Sequence, residues 1–275
     1  MTTLPGKLAF ITGGSSGIGL ATATQLARKG CRLVLFARKQ EGLDAACESI
    51  RQQSASSDSK PSVAAITLDV ADNDAVQSVI SHAVATYGTP DILINCAGVG
   101  TADYFENISY ESFDHVMKIN VYGTRNMVSA VLPFMKQAGY GHIVNVASVA
   151  GLIGMFGYTL YSCTKYALVG FSECLRAELK RHHIQVTLFC PPEVDTPFVT
   201  EEARTLPPPS RAIKRLAGLL TPEQAAKSVV TGIRRNRFLV APGAAAKWLV
   251  FWHRISNGRL TRTPSDWIVA LTDRR

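Results

Sequence analysis

The sequence predicts an α/β protein built on a doubly wound parallel sheet. Short, continuously apolar runs recur through the first 190 residues, amphipathic segments of helical period lie between them, and the first apolar run ends in a glycine cluster that opens the first helical segment. Strands that are apolar throughout, without alternation, are those covered on both faces, and the intervening helices supply the two covers.

Taken in order, KLAFIT (7–12) is the first strand, followed by a helical segment from about Ser16 to Lys29. RLVLFA (32–37) is the second strand, and Lys39 to Arg51 repeats the helical period. SASSDSKPS (54–62) reads as a polar surface connection. VAAITLDV (63–70), ILINCAG (92–98), HIVNVAS (142–148) and QVTLFC (185–190) are further strands, with helices at about 72–87, 109–137 and 158–182. The stretch 191–220, which includes Pro207-Pro208-Pro209, breaks the alternation and is expected to be a cover over the ligand crevice. A helix over 222–235 and a strand FLVAP (238–242) close one dinucleotide-binding and catalytic domain, 1–242, leaving a C-terminal tail, 243–275.

The chain carries 47% hydrophobic and 18% charged residues, ample for a core and unlike a disordered chain. Its six cysteines form no CxxC pair and no metal-ligand cluster, so no metal is expected and the thiols read as reduced, in a cytoplasmic compartment. The opening residues lack the pattern of a secretory signal, and no run of 18 apolar residues is present to span a bilayer as a helix. The net charge of +8 is uneven: residues 201–275 hold 14 Lys/Arg against 5 Asp/Glu, so the basicity lies wholly in the last quarter.

The glycine cluster Thr12-Gly13-Gly14-Ser15-Ser16-Gly17-Ile18-Gly19 sits between a strand and a helix, the context in which such a cluster binds a pyrophosphate in the Rossmann fold. Gly13 permits the turn, Gly17 the approach of the phosphates, and Gly19 close packing of helix on sheet, while the helix amino end offers free N–H groups. After the second strand stand Ala37-Arg38-Lys39, with no acidic residue to accept a ribose hydroxyl. Arg38, Lys39 and the Ser15 hydroxyl suit a 2′-phosphate, so the expected cofactor is NADPH/NADP; the alternative is that Arg38 stacks on adenine or is solvated. Asp69-Val70 would reach the adenine edge, and Asn95-Cys96-Ala97-Gly98 would floor the adenosine, though the same residues also serve ordinary strand-end turns.

Tyr161 and Lys165 are four residues apart, hence on one face of a helix. A nearby cation stabilises a phenolate and turns a weak acid into a usable proton donor. Ser148, at the end of the fifth strand, can hold a substrate oxygen against that phenol.

These pieces together resemble the classical short-chain dehydrogenase/reductase family over roughly residues 5–242: TGGSSGIG (12–19), NCAG (95–98), Asn120 in KINVYG, Ser148, YSCTK (161–165) and the Pro191 turn. The resemblance implies a catalytic tetrad of Asn120, Ser148, Tyr161 and Lys165. In it Tyr161 protonates the carbonyl oxygen as hydride arrives, Lys165 binds the nicotinamide ribose and acidifies the tyrosine, and Asn120 holds a relay water. It also implies that Pro191, Val194 and Thr196 face the cofactor, and that the long helices pair subunits into a homodimer or homotetramer. Where many relatives have Pro-Gly, this chain has Pro191-Pro192, which removes a backbone donor.

Pro-Pro-x-x-Asp-Thr-Pro (191–197), Glu201-Glu202-Ala203-Arg204-Thr205 and Gly154-Met155-Phe156-Gly157-Tyr158-Thr159 resemble the 3-ketodihydrosphingosine reductase branch of the family, which implies reduction of a long-chain lipid ketone. The tail segment Ala244 to Trp252, followed by His253, Arg254, Arg259 and Arg262, suits the interface of an anionic membrane, which for a eukaryotic chain would be the cytosolic face of the endoplasmic reticulum. Packing of Trp248 and Trp252 on the domain or a partner subunit is the alternative. No nucleic-acid recognition motif accompanies the charge. Two other functions stay in view: reduction of another apolar carbonyl, a steroid or 3-oxoacyl thioester, and a non-catalytic NADP(H)-binding partner protein.

Overall fold

The computed structural model describes residues 2–54, 62–202 and 204–272. Seven strands form one parallel sheet: β1 (Leu8–Thr12), β2 (Arg32–Ala37), β3 (Val63–Thr67), β4 (Ile92–Asn95), β5 (Gly141–Val146), β6 (Ile184–Phe189) and β9 (Leu239–Val240), in the order β3-β2-β1-β4-β5-β6-β9. The chain leaves β1 in one direction for β2 and β3 and returns to β1's other side with β4. Such a reversal opens a crevice beyond the carboxyl ends of β1 and β4.

Successive side chains of a strand point to opposite faces, and the core divides accordingly. Ala9, Ile11, Leu33 and Leu35 meet helices α1 (Gly17–Ala27), α2 (Gln40–Gln53) and α9 (Pro222–Arg234) through Ala23, Leu26, Leu43, Val229 and Ile233. Leu8, Phe10, Val34 and Phe36 turn the other way, toward α3 (Asn73–Tyr87), α5 (Gly123–Ala138) and α6 (Thr159–Leu179) through Ile80, Met127, Val131 and Leu179. Phe10 and Phe36 meet edge to face at 5.4 Å. The strands are shorter than their apolar runs. The last residues of the third and fourth runs, Leu68 to Val70 and Cys96 to Gly98, lie beyond the ladder, with Leu68 and Val70 buried in the core.

The single helix expected over 109–137 is two helices, α4 (Tyr110–Met117) and α5, joined by a wide π-type turn at Lys118–Tyr122. The cause is tertiary. Asn120 in this turn is 1% exposed, and its side chain both accepts from the Val99 N–H (2.9 Å) and donates to the Val99 carbonyl (2.8 Å). Gly123 then lets α5 press on the end of the third strand, since a Cβ there would lie 2.6 Å from Val70.

The stretch 191–220 is structured rather than irregular. It contains β7 (Glu193–Val194), α7 (Pro197–Glu202), α8 (Pro208–Ala217) and β8 (Leu219–Leu220), with β7 and β8 paired in parallel. Prolines at the first positions of α8 start that helix instead of breaking it, because those positions need no intrahelical N–H partner. The tail forms α10 (Ala244–Ile255) and α11 (Arg259–Thr272). Ala246 and Val250 of α10 are buried against Val149 and Ile153, just beyond Ser148, and α11 packs on α8. Among the described residues no helix is long and apolar enough to cross a membrane. Most of the polar connection expected over 54–62 lies outside the described residues.

Candidate active site

The glycine loop has the shape that a pyrophosphate cradle requires. Gly13 and Gly17 adopt φ of +64° and +52°, where a side chain is strained, and a Cβ on Gly19 would stand 2.1 Å from the Gly13 carbonyl oxygen. Thr12, buried at the end of β1, accepts the N–H groups of Cys96 and Ala97 at 3.1 Å each and so ties the loop after β4 to the glycine turn. Ser16 caps α1 without a side-chain hydrogen bond, so its hydroxyl does not occupy the first-turn N–H groups. Ile18 anchors the turn into the core. Thr196 of the proline-rich turn lies directly over Gly17, and Val194 is buried beside it in β7. These features fit a dinucleotide phosphate bridge on residues 13–19, closed from above by 194–196.

Arg38 and Lys39 are exposed at the carboxyl end of β2, with Lys39 capping α2. The Ser15 side chain lies close to Gly42, in the first turn of the same helix. The three polar groups expected around a 2′-phosphate therefore border one corner of the crevice. Asp69 is exposed and its carboxylate accepts from the Ala71 N–H at 3.0 Å, while Val70 is buried and its carbonyl accepts from Asn126 at 3.0 Å. Asn95 faces inward rather than toward the crevice: it is 3% exposed and its amide donates to Asn145 at 2.9 Å, which donates to Ser172. It steadies the end of β4, beyond which Ala97 is tied to Thr12 and Gly98 lies beside Asn120 and Lys165.

Tyr161, Lys165 and Ser148 converge at the carboxyl end of β5. The Lys165 ammonium stands 5.4 Å from the centre of the Tyr161 ring and donates to the Val146 carbonyl at 3.0 Å. Gly151 lets the Ser148 turn lie on α6, since a Cβ there would come 2.6 Å from the Lys165 carbonyl oxygen. The Ser148 hydroxyl accepts from Ala150 at 3.1 Å, and the carbonyl of buried Pro191 accepts from the Val149 N–H at 2.9 Å. Gly98 borders both the Asn120 amide and the Lys165 ammonium.

The electrostatics differ from a simply acidified phenol. Burial and the Glu202 carboxylate push the Tyr161 phenol upward from its ordinary value, and only the hydrogen bond from Ser148 pulls it down. Desolvation also brings the Lys165 ammonium down to about 8. Taking charge out of water disfavours phenolate and ammonium alike. With the protein's own groups, burial is the largest influence on each of the two.

Other residues gather at this centre to which the sequence assigns no site role. Phe198 of α7 packs on the Tyr161 ring at 5.6 Å and covers Gly100, where a Cβ would meet it at 2.4 Å. Tyr158, one helical turn before Tyr161, is 3% exposed and meets it edge to face at 6.1 Å. Glu193, Glu202 and Lys214 form an ion cluster in the cover. The aromatic sequence 155–161 was a visible signal; the ion cluster, drawn from three separate segments, had none.

A dinucleotide cradle, a crevice at the strand-order reversal and a Tyr–Lys–Ser centre together define a nicotinamide-dependent oxidoreductase. The short chain dehydrogenase family model matches residues 7–207, and the chain belongs to this family of enzymes. It is 38% identical over 236 residues to mouse (Mus musculus) 3-ketodihydrosphingosine reductase, covering 86% of this chain and 70% of that one. A short-chain dehydrogenase/reductase from Burkholderia phymatum, solved with NAD, superposes with a TM-score of 0.82 at 27% identity, covering 94% of this chain and 96% of that one. A short-chain dehydrogenase from Sphingobium yanoikuyae, solved with NADPH, superposes at 0.76 with 26% identity, covering 94% and 95%.

Proposed function

We propose that this chain is an NADPH-dependent reductase of a long-chain lipid ketone, 3-ketodihydrosphingosine or a close analogue. The observation that carries the reading is the gathering of Tyr161, Ser148 and Lys165 at the end of the dinucleotide crevice, roofed by the aromatic side chain of Phe198. The reduced dinucleotide, when bound, supplies the hydride. Ser148 holds the carbonyl oxygen, and Tyr161 gives that oxygen its proton. Lys165 stabilises the phenolate left behind, and Asn120, which shares the border of Gly98 with Lys165, serves the relay that restores the proton. The choice of NADPH is supported by exposed Arg38 and Lys39 beside Ser15, a cationic corner where a ribose-binding acid would repel a phosphate.

The lipid reading is supported by the mouse relative's name and by the tail. Trp248, Phe251 and Trp252 form an exposed aromatic cluster, continued by Ile255, Leu260, Trp267 and Leu271, and Lys247, Arg259 and Arg262 lie on the same two helices. An apolar face edged by cations matches an anionic lipid surface, and this face begins where α10 packs against the Ser148 turn. The chain would then work in the cytoplasm, peripherally on a membrane. The deciding experiment follows dinucleotide consumption with 3-ketodihydrosphingosine, a steroid ketone, a 3-oxoacyl thioester and a short ketone, each with NADPH and NADH. The reading expects NADPH and the long-chain lipid ketone to give the highest kcat/KM; preference for another carbonyl class would replace it.

A further inference from the structure

The cover brings an excess of negative charge to the reacting tyrosine. Lys214 Nζ, on α8, stands 2.7 Å from Glu193 Oε1 on β7 and 2.6 Å from Glu202 Oε2 on α7. Glu202 is 4% exposed. Two carboxylates sharing one ammonium sum to −1 within this cluster, and its Glu202 end is closed to the water that would solvate the surplus. Beside it lies a second unsatisfied group: the Tyr158 hydroxyl, on a residue 3% exposed, faces Glu202 yet closes no well-formed hydrogen bond. Tyr158 in turn abuts Tyr161.

For proton donation alone this placement is adverse. When Tyr161 gives up its proton it becomes an anion, and a neighbouring carboxylate raises the cost of that charge. The arrangement becomes favourable if the substrate itself brings a cation. A ketone with an amine on the carbon next to the carbonyl does so, because holding its oxygen at Tyr161 keeps its ammonium on the carbon adjoining the reacting one.

We propose that Glu202, supported by Glu193 and the Tyr158 hydroxyl, is the seat of a substrate ammonium adjacent to the reacting carbonyl, and that it makes the enzyme selective for α-amino ketones. This rests on the reductase reading above. The ammonium neutralises the cluster, satisfies the Tyr158 oxygen and offsets the charge that forms on Tyr161. The amine is therefore required for the rate as well as for binding.

A cluster that merely staples β7, α7 and α8 together would affect every substrate alike, and this separates the two roles. The test measures NADPH-dependent kcat/KM for a matched pair, a long-chain α-amino ketone and the same ketone lacking the amine, with wild type, Glu202→Gln and Glu193→Gln. Dinucleotide binding reports folding. Wild type should favour the amino ketone by about tenfold or more, and the ratio should fall about 10- to 100-fold in Glu202→Gln, the range of a lost charge-assisted hydrogen bond. Glu193→Gln should lower it less. If Glu202→Gln does not bind dinucleotide, the wild-type ratio and Glu193→Gln decide. Equal rates on both ketones in wild type, or an unchanged ratio in the variants, overturn the seat and leave the reductase standing. Consumption of neither ketone overturns both.

Discussion

The Lys165 ammonium lies 5.4 Å from the centre of the Tyr161 ring, and its own hydrogen bond runs backward to the Val146 carbonyl. A buried lysine whose partner is a neutral carbonyl is expensive to keep charged. The proposed reductase gives that cost a use, since the lysine stands one helical turn from the phenol that would pass the proton.

That cost has a measurable pH dependence. The Lys165 value falls from 10.5 to about 8 on folding, so between those limits the unfolded chain binds the extra proton and stability rises with pH. Below pH 8 the full penalty is present, on the order of 3 kcal/mol. Lys165→Met should therefore be more stable than wild type at pH 7 by on the order of 1–3 kcal/mol, with the gap closing as pH rises from 8 toward 10.5. Chemical denaturation of both proteins across this range checks it. The reduction rate of wild type should decline above about pH 8, as the cation that supports the phenolate is lost.

Dinucleotide choice should follow Arg38. Arg38→Asp replaces a partner of a 2′-phosphate with a group that repels it and accepts from a ribose, so the kcat/KM ratio of NADPH to NADH should drop by about 100-fold or more. Steady-state kinetics with the two dinucleotides measures this ratio directly. Unchanged discrimination would mean that Arg38 is solvated.

The aromatic faces of α10 and α11 should govern association with lipid. Removing the whole tail would also strip Ala246 and Val250 from the turn beyond Ser148, so point changes are the cleaner probe. Trp248, 61% exposed, and Trp267, 72% exposed, can be replaced by Ser with little effect on the core. The double variant should float with anionic vesicles about 10-fold less than wild type. High salt should weaken binding by wild type. Equal flotation would assign this face to a protein partner.

How much of this was legible in the chain depends on whether the cause is local. The parallel sheet follows from continuous apolar runs, and the cradle from Gly13, Gly17 and Gly19, whose spacing states the geometry outright. The Tyr161–Lys165 pairing follows from helical spacing alone. The break at Asn120 is invisible because helical periodicity runs straight through it; what opens the turn is Val99, 21 residues earlier. The helix α8 was hidden by the reading of Pro207-Pro208-Pro209 as an interruption, where proline at a helix start is favourable. Glu193, Glu202 and Lys214 come from three elements and meet only when the cover folds. The direction of the Tyr161 shift is hidden for the same reason: sequence displays the nearby cation and conceals the burial.

The most direct test of the account is the rate of NADPH-dependent ketone reduction by Tyr161→Phe, with dinucleotide affinity measured in parallel. Removing the hydroxyl and keeping the ring should lower kcat by about 10²- to 10⁴-fold while NADPH still binds. A Tyr161→Phe enzyme that binds NADPH and reduces the ketone at the wild-type rate would contradict it.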